Sequence, residues 1–300
     1  MTIAVSTSVQ VKRDASKSYA LFLGCAIPSS QIFVERAFRL LAEKLGIRVI
    51  DLEGATCCPD PEISKIVSYE AWIRIAARNL SLAEKIRSDI CVICNGCYKT
   101  LLEANMELKS SPELLREVNS SLTQIERQYS LGVEVSHVIE VLHDDFSIDD
   151  LQRRIAKSLA GLRVAIHPGC RLYRDPEKEL PEKLSRLVKA TGATVVNYEA
   201  LRLCCGVPAM YADPQFALEH KAKAKIEGIL SVRPDCVVLV CPACHDMIEK
   251  AELSFVKEED FMPVINLTEL VALGLGFKPE EIGMDVHRIP TNKVIEKIGL

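Results

Sequence analysis

Twelve cysteines stand at positions 25, 57, 58, 91, 94, 97, 170, 204, 205, 236, 241 and 244, and ten of them follow one pattern written twice. Cys25 is followed after thirty-one residues by Cys57-Cys58, and after thirty-five more by Cys94-x-x-Cys97. Cys170, Cys204-Cys205 and Cys241-x-x-Cys244 repeat the order with gaps of thirty-three and thirty-five residues. The doublets and the CxxC pairs are each offset by 147 positions and the lone cysteines by 145, so a unit of that length has been duplicated. Thiols at such ordered spacing, at a density well below that of a small disulfide scaffold, point to metal ligation or redox chemistry rather than to structural bridges.

The type of metal follows from the pattern. A CxxC at the end of a buried strand places one thiol at the strand terminus and the next in the first turn of the following helix. The free N–H groups of that turn favour thiolate and any anionic group held there. Asn95-Gly96 and Pro242-Ala243 fill the two CxxC pairs, and Pro242 suits a first helical turn. The adjacent doublet argues against one tetrahedral zinc per unit: neighbouring cysteines close an awkward small ring on a single ion, and five thiolates exceed four positions. A polynuclear iron–sulfur cluster offers several irons to vicinal thiolates, so two clusters are expected, one per unit. Cys91 and Cys236, outside the pattern and inside apolar runs, read as small buried hydrophobes.

The elements that must position these thiols are legible around them. Residues 18–24 and 162–168 are short β-type runs leading into Gly-Cys, and 89–94 matches 236–241 as a second pair of buried strands. Amphipathic helical patterns cover 31–45, 69–87, 180–190 and 214–230, with a polar helical stretch at 110–129. The alternation predicts an α/β fold of two tandem units with mostly parallel strands, related by a pseudo-twofold axis. The expected boundaries are an N-terminal extension at 1–17, a first domain at 18–146, a linker at 147–161 (acidic and helical from 144 onward), a second domain at 162–276 and a tail at 277–300. The tail carries few strong apolar signals and is expected to lie on its own domain rather than to dock a partner.

Composition narrows the function. With 48% hydrophobic residues the chain can bury a sizeable core. Its net charge of −4, without a basic block, speaks against nucleic acid as a partner. Met1 to Ser18 has no continuous apolar stretch and no run of eighteen apolar residues occurs, so a cytoplasmic location with no transmembrane segment is expected. No phosphate loop, dinucleotide fingerprint or nucleophile elbow is present, so electrons are expected to arrive from another protein.

The pattern resembles the duplicated cysteine-rich CCG domain, and the segments TCCPDP, WIRIAARNLSLAEK and VICNGCYKTL resemble the B subunit of heterodisulfide reductase, over about residues 18–276. The resemblance implies that Cys25, Cys57, Cys58, Cys94 and Cys97 hold one noncubane [4Fe-4S] cluster. Cys170, Cys204, Cys205, Cys241 and Cys244 would hold a second, with a disulfide substrate cleaved between the two. It also implies two partners in the same complex, a cubane iron–sulfur protein (the C subunit) and a flavin-containing protein (the A subunit). Two clusters suit a two-electron cleavage, since such clusters usually pass one electron each. Arg171 stands where related proteins often carry histidine, and residues 206–210 replace a glycine-rich stretch, which changes bulk near the substrate approach.

Further candidates are weaker. His137, His143, His167 and His245 are available to deliver protons to leaving thiolates. Of these, His167 and His245 are expected near the second cluster. Arg171, Arg174 and Lys99 could attract an anionic substrate or simply be solvated charges. Two alternatives stand beside a catalytic role: an electron relay like the CCG components of glycolate or lactate oxidases, and a zinc-stabilised scaffold.

Overall fold

The computed structural model describes residues 18–300, and two four-stranded, all-parallel sheets form its frame. The first contains β1 (Ser18–Phe22), β2 (Arg48–Asp51), β3 (Asp89–Val92) and β4 (Val135–His137) in the spatial order β2-β1-β3-β4. The second contains β5 (Arg163–His167), β6 (Thr194–Val196), β7 (Cys236–Leu239) and β8 (Val264–Asn266) in the equivalent order β6-β5-β7-β8. The central strands are buried on both faces, as their continuous apolar runs require. Cys91 and Cys236 lie fully buried within β3 and β7, in agreement with their reading as core residues.

The principal helices are α1 (Ile32–Leu45), α2 (Tyr69–Lys85), α3 (Asn95–Ser110), α4 (Leu180–Ala190), α5 (Pro242–Phe255) and α6 (Leu267–Gly274). Ser68 caps α2 by accepting from the Ala71 N–H. The helical pattern at 214–230 is one helical passage, but its middle, Ala217–Ala222, widens into a π-helical turn. The polar stretch at 110–129 is shorter than expected: Ser111 caps it and Pro112–Thr123 is its helical part.

Each unit lends a helix to the other. α6, which follows β8 in the second unit, packs on α1 of the first, and the helical turn Val138–Glu140, which follows β4, packs on α4 of the second. α1 and α4 each follow a lone cysteine, so the exchange is reciprocal, as a pseudo-twofold axis demands. The larger apolar core runs through this interface, joining Phe38 and Leu41 to Leu270 and Leu273, while a smaller core backs β7 and α5.

The segment between the units is packed rather than loose. Ile148–Arg154 is helical with Leu151 buried, and the N–H groups of Ala156 and Lys157 both donate to the Gly274 carbonyl. The tail is folded too: Ile282, Met284, Ile289 and Val294 are buried, and the short helix Pro279–Ile282 packs on α1. The tail of the chain thus lies across the first unit as well as the second, where sequence alone placed it on its own domain. Among the described residues no helix is long and apolar enough to cross a membrane.

Candidate metal centres at the facing sheet ends

In each sheet the strand order reverses between the first and third strands, opening a crevice beyond their C-terminal ends. All ten patterned thiols come from loops or helix starts on that side. Cys25 follows β1, the doublet lies on the long passage after β2, and Cys94 follows β3. Cys170, Cys204-Cys205 and Cys241 stand at the same places after β5, β6 and β7.

Cys94 is the N-cap of α3 and Cys97 lies in its first turn, and Cys241 with Cys244 does the same for α5, with Pro242 at the first helical position. The lone cysteines are brought in by tight turns. Gly24 and Gly169, one residue ahead of each, adopt φ of +68° and +81°. A Cβ on Gly24 would stand 2.6 Å from the Cys97 Sγ, and one on Gly169 would stand 2.7 Å from the Asn95 Nδ2 and 3.7 Å from the Cys244 Sγ.

The thiols meet one another more than anything else. Cys205 Sγ is 3.3 Å from Cys244 Sγ and Cys204 Sγ is 3.8 Å from Cys170 Sγ. In the first unit Cys58 hydrogen-bonds with Cys57 and Cys97, and Cys97 with Cys94. The first group contains one thiol that its neighbours favour as thiolate, and the second contains two. Cys204 is pushed down to about 2 by the thiols of Cys170 and Cys205, aided by the Gly206 N–H. Cys205 is correspondingly pushed up to about 12, first by its bond to Cys204. Cys58 is lowered by Cys57 and Cys97, and Cys241 by Cys244 and Cys94.

The two groups adjoin. Cys94 and Cys241, from different units, interact through their thiols. Around this junction the units exchange buried hydrogen bonds: Asn95 Nδ2 donates to the Pro168 carbonyl at 2.7 Å and Gln31 Nε2 donates to the Pro242 carbonyl at 2.9 Å. Arg171 is buried beside it, bonded to Asp60 at 2.9 Å. Burial opposes its charge, but Cys241, Asp60, Cys170 and Cys94 outweigh that, so it stays cationic between the two thiol groups. Arg174 pairs with Glu62 at 2.7 Å, and Lys99 pairs with Glu103.

The histidines divide. His167 comes within reach of Cys205 and Cys244, a donor atom of each lying within 4.8 Å of the others. Burial pushes its imidazole down to about 3, so it is neutral there. The first unit has Phe22 at the corresponding strand position, so the two sites differ in this group. His137, also lowered to about 3 by burial, contacts Asn95 Oδ1 through Nε2 at 3.1 Å and caps the turn that follows β4 through Nδ1. His143 lies against Asp144. His245 directly follows Cys244, but its ring faces Glu249, His287 and Phe33 rather than the sulfurs, because successive helix residues point about 100° apart.

The donor set suits a polynuclear iron–sulfur group: five thiols per unit, mutually hydrogen-bonded, seated against helix starts, with vicinal pairs that a single tetrahedral ion does not use well. The sequence matches the model of the CCG cysteine-rich domain twice, over residues 19–102 and 164–249. The chain belongs to this family. The B subunit of ferredoxin:CoB-CoM heterodisulfide reductase from Methanosarcina mazei is 36% identical over 93% of this chain and 96% of its own length. The 8-methylmenaquinol:fumarate reductase membrane anchor subunit of Wolinella succinogenes is 30% identical over 93% of this chain and 99% of its own. A hypothetical protein from Helicobacter pylori shares the fold, with a TM-score of 0.74 and 18% identity over 92% of this chain and 52% of that one. The protein is thus an iron–sulfur oxidoreductase component of the CCG family, similar to the heterodisulfide reductase B subunit over nearly its whole length.

Sequence reasoning missed Asn95 and Gln31 as links between units, and it missed Glu269 and His287 entirely. Asn95 alone carried a signal, as an amide inside a CxxC whose repeat has proline.

Proposed function

We propose that this chain is the substrate-handling component of a heterodisulfide reductase-type complex, acting on a disulfide or thiol at the junction of two noncubane [4Fe-4S] clusters. Cys25, Cys57, Cys58, Cys94 and Cys97 would hold the first, and Cys170, Cys204, Cys205, Cys241 and Cys244 the second. One observation supports the reading: the two thiol groups adjoin, with Cys94 against Cys241, so clusters held by them would lie side by side. Bound clusters would supply single electrons at two neighbouring points and iron sites for sulfur.

The chain's own groups supply the remainder. Arg171, buried and fixed by Asp60, presents a positive charge where thiolate develops. His167 is neutral in its site, with one ring N–H to donate and no charge to compete with Arg171, whereas the Nε2–H of the equally neutral His137 is held by Asn95 Oδ1. Electrons would enter through a partner carrying cubane clusters, supplied in turn by a flavin-bearing partner, since no nucleotide or flavin fingerprint is present in the sequence.

An anaerobic assay of disulfide and thiol panels with an artificial electron donor and acceptor tests the reading. Turnover by the iron-loaded wild type, lost at least tenfold in Cys57→Ala/Cys58→Ala, is the expected result. Iron-loaded protein that passes electrons between dyes yet shows neither turnover nor a spectral response to any thiol or disulfide would instead establish an electron relay. The similarity to a component of a quinol:fumarate reductase favours that second reading, because it places this architecture in a complex named for a different reaction.

A further inference from the structure

Away from the patterned thiols, a second cluster of metal-binding side chains lies between α5, α6 and the tail. His245 and Glu249 are four residues apart on α5 and so share one face. His287 comes from the tail, just after the turn Met284–Val286. One donor atom from each of the three lies within 4.8 Å of the other two. The side chains of His245, Glu249 and His287 are 2%, 5% and 0% exposed. We propose that His245, Glu249 and His287 bind one zinc ion that fastens the tail to the second CCG unit.

The geometry carries this in four respects. First, His245 Nε2 stands 3.3 Å from Glu249 Oε1, about the edge of a tetrahedron whose donors lie 2.0–2.1 Å from zinc. Second, the two imidazole centroids are 5.5 Å apart, close to the roughly 5 Å of two rings bound to one tetrahedral ion. Third, Glu269 Oε1 contacts His287 Nε2 at 2.7 Å, the contact that in a carboxylate–histidine–metal relay makes that nitrogen the N–H and gives Nδ1 to the ion. Fourth, two of the proposed donors, His287 Nδ1 and Glu249 Oε1, are buried without a hydrogen-bond partner. Leaving such groups unsatisfied costs about 1–3 kcal/mol each.

The donor types and charges select the ion. Two imidazoles and a carboxylate form a zinc-type set with room for a fourth ligand. Glu249 and Glu269 together balance a divalent charge. The nearest cation, Arg288, is half exposed and reaches Glu249 Oε2 only at 3.8 Å. Phe33, from α1 of the first unit, stacks on His287 with centroids 3.9 Å apart and walls the site. No residue of the site belongs to the ten patterned cysteines.

The experiment uses the full chain with its iron–sulfur centres assembled first, so that thiols are not open to zinc, followed by incubation with Zn2+ and desalting. The expected result is about one zinc per chain with a nitrogen/oxygen-only shell in zinc K-edge absorption. His287→Gln and Glu249→Gln should each lower zinc at least fivefold at unchanged iron content, and the zinc-loaded wild type should melt several degrees above the zinc-free protein. Zinc-free wild type after loading, a sulfur-containing zinc shell, or zinc retained in both variants would overturn the assignment. Should either variant fold poorly, the zinc count and absorption spectrum of the wild type decide alone.

Discussion

The chemistry of individual residues here is governed by burial and by what each group is given to pair with. The cysteines form chains of sulfur-to-sulfur contacts in which neighbouring thiols favour Cys58, Cys204 and Cys241 as thiolates. A different outcome of burial is seen at Glu252 on α5. Its Oε1 accepts from the Met262 N–H at 2.8 Å, but Oε2 has no partner, and burial pushes the carboxyl up to about 8. The folded protein therefore keeps a proton that the unfolded chain releases near its ordinary value of 4.5. Stability contributed by this group is full below that value, falls as pH rises through the interval up to about 8, and is flat above it. Glu252→Gln, which keeps the acceptor without the charge, should stabilise the protein at pH 8 by an amount on the order of 1–3 kcal/mol and leave it unchanged near pH 4.5. Melting curves at the two pH values check this, and an equal effect at both would contradict it.

At the scale of elements, strand ends and turns aim the thiols. Gly24 and Gly169 turn the chain from β1 and β5 into the lone cysteines with left-handed backbone, and neither leaves room for a side chain. Gly24→Ala adds both backbone strain of about 1 kcal/mol and a Cβ against Cys97. It should displace that thiol and lower the iron held by the first unit while the second keeps its own. Iron content and absorbance of the anaerobically reconstituted variant measure this, and full iron occupancy would show that the turn is more compliant than the geometry requires. Much of this level was legible in the sequence. The duplicated cysteine register gave the placement of the lone cysteines and the CxxC pairs relative to their strands, because a βα turn fixes both partners locally, whereas β2 and β6, which precede the doublets, were not legible in it. The widening of the helix at 217–222 was not legible. Hydrophobic periodicity over 214–230 reads the same whether one turn is α or π.

The whole molecule is two repeats locked by exchange. α6 lies on α1, the turn after β4 lies on α4, and side-chain amides cross the junction in both directions. Gln31→Ala removes this buried bond across the junction and should cost about 0.5–1.5 kcal/mol, read as a lower thermal midpoint for the whole protein. A change below the error of the measurement would mean that the junction is wetter than described. These contacts were beyond the sequence for a physical reason: repeat spacing encodes each unit's interior, whereas the docking of one unit on the other depends on surfaces with no period. His245 shows the same limit. Its position next to Cys244 suggested a place among the sulfurs, but the tail decides its surroundings by bringing His287 to it.

The central claim is that five sulfurs in each half surround a multi-iron centre. Iron counting on the anaerobically assembled chain, paired with Mössbauer spectroscopy, tests it most directly. The expected result is about eight irons per wild-type chain, falling to about four in Cys57→Ala/Cys58→Ala and in Cys204→Ala/Cys205→Ala alike. A colourless wild-type protein, or a doublet variant that retains all the iron of the wild type, would contradict it.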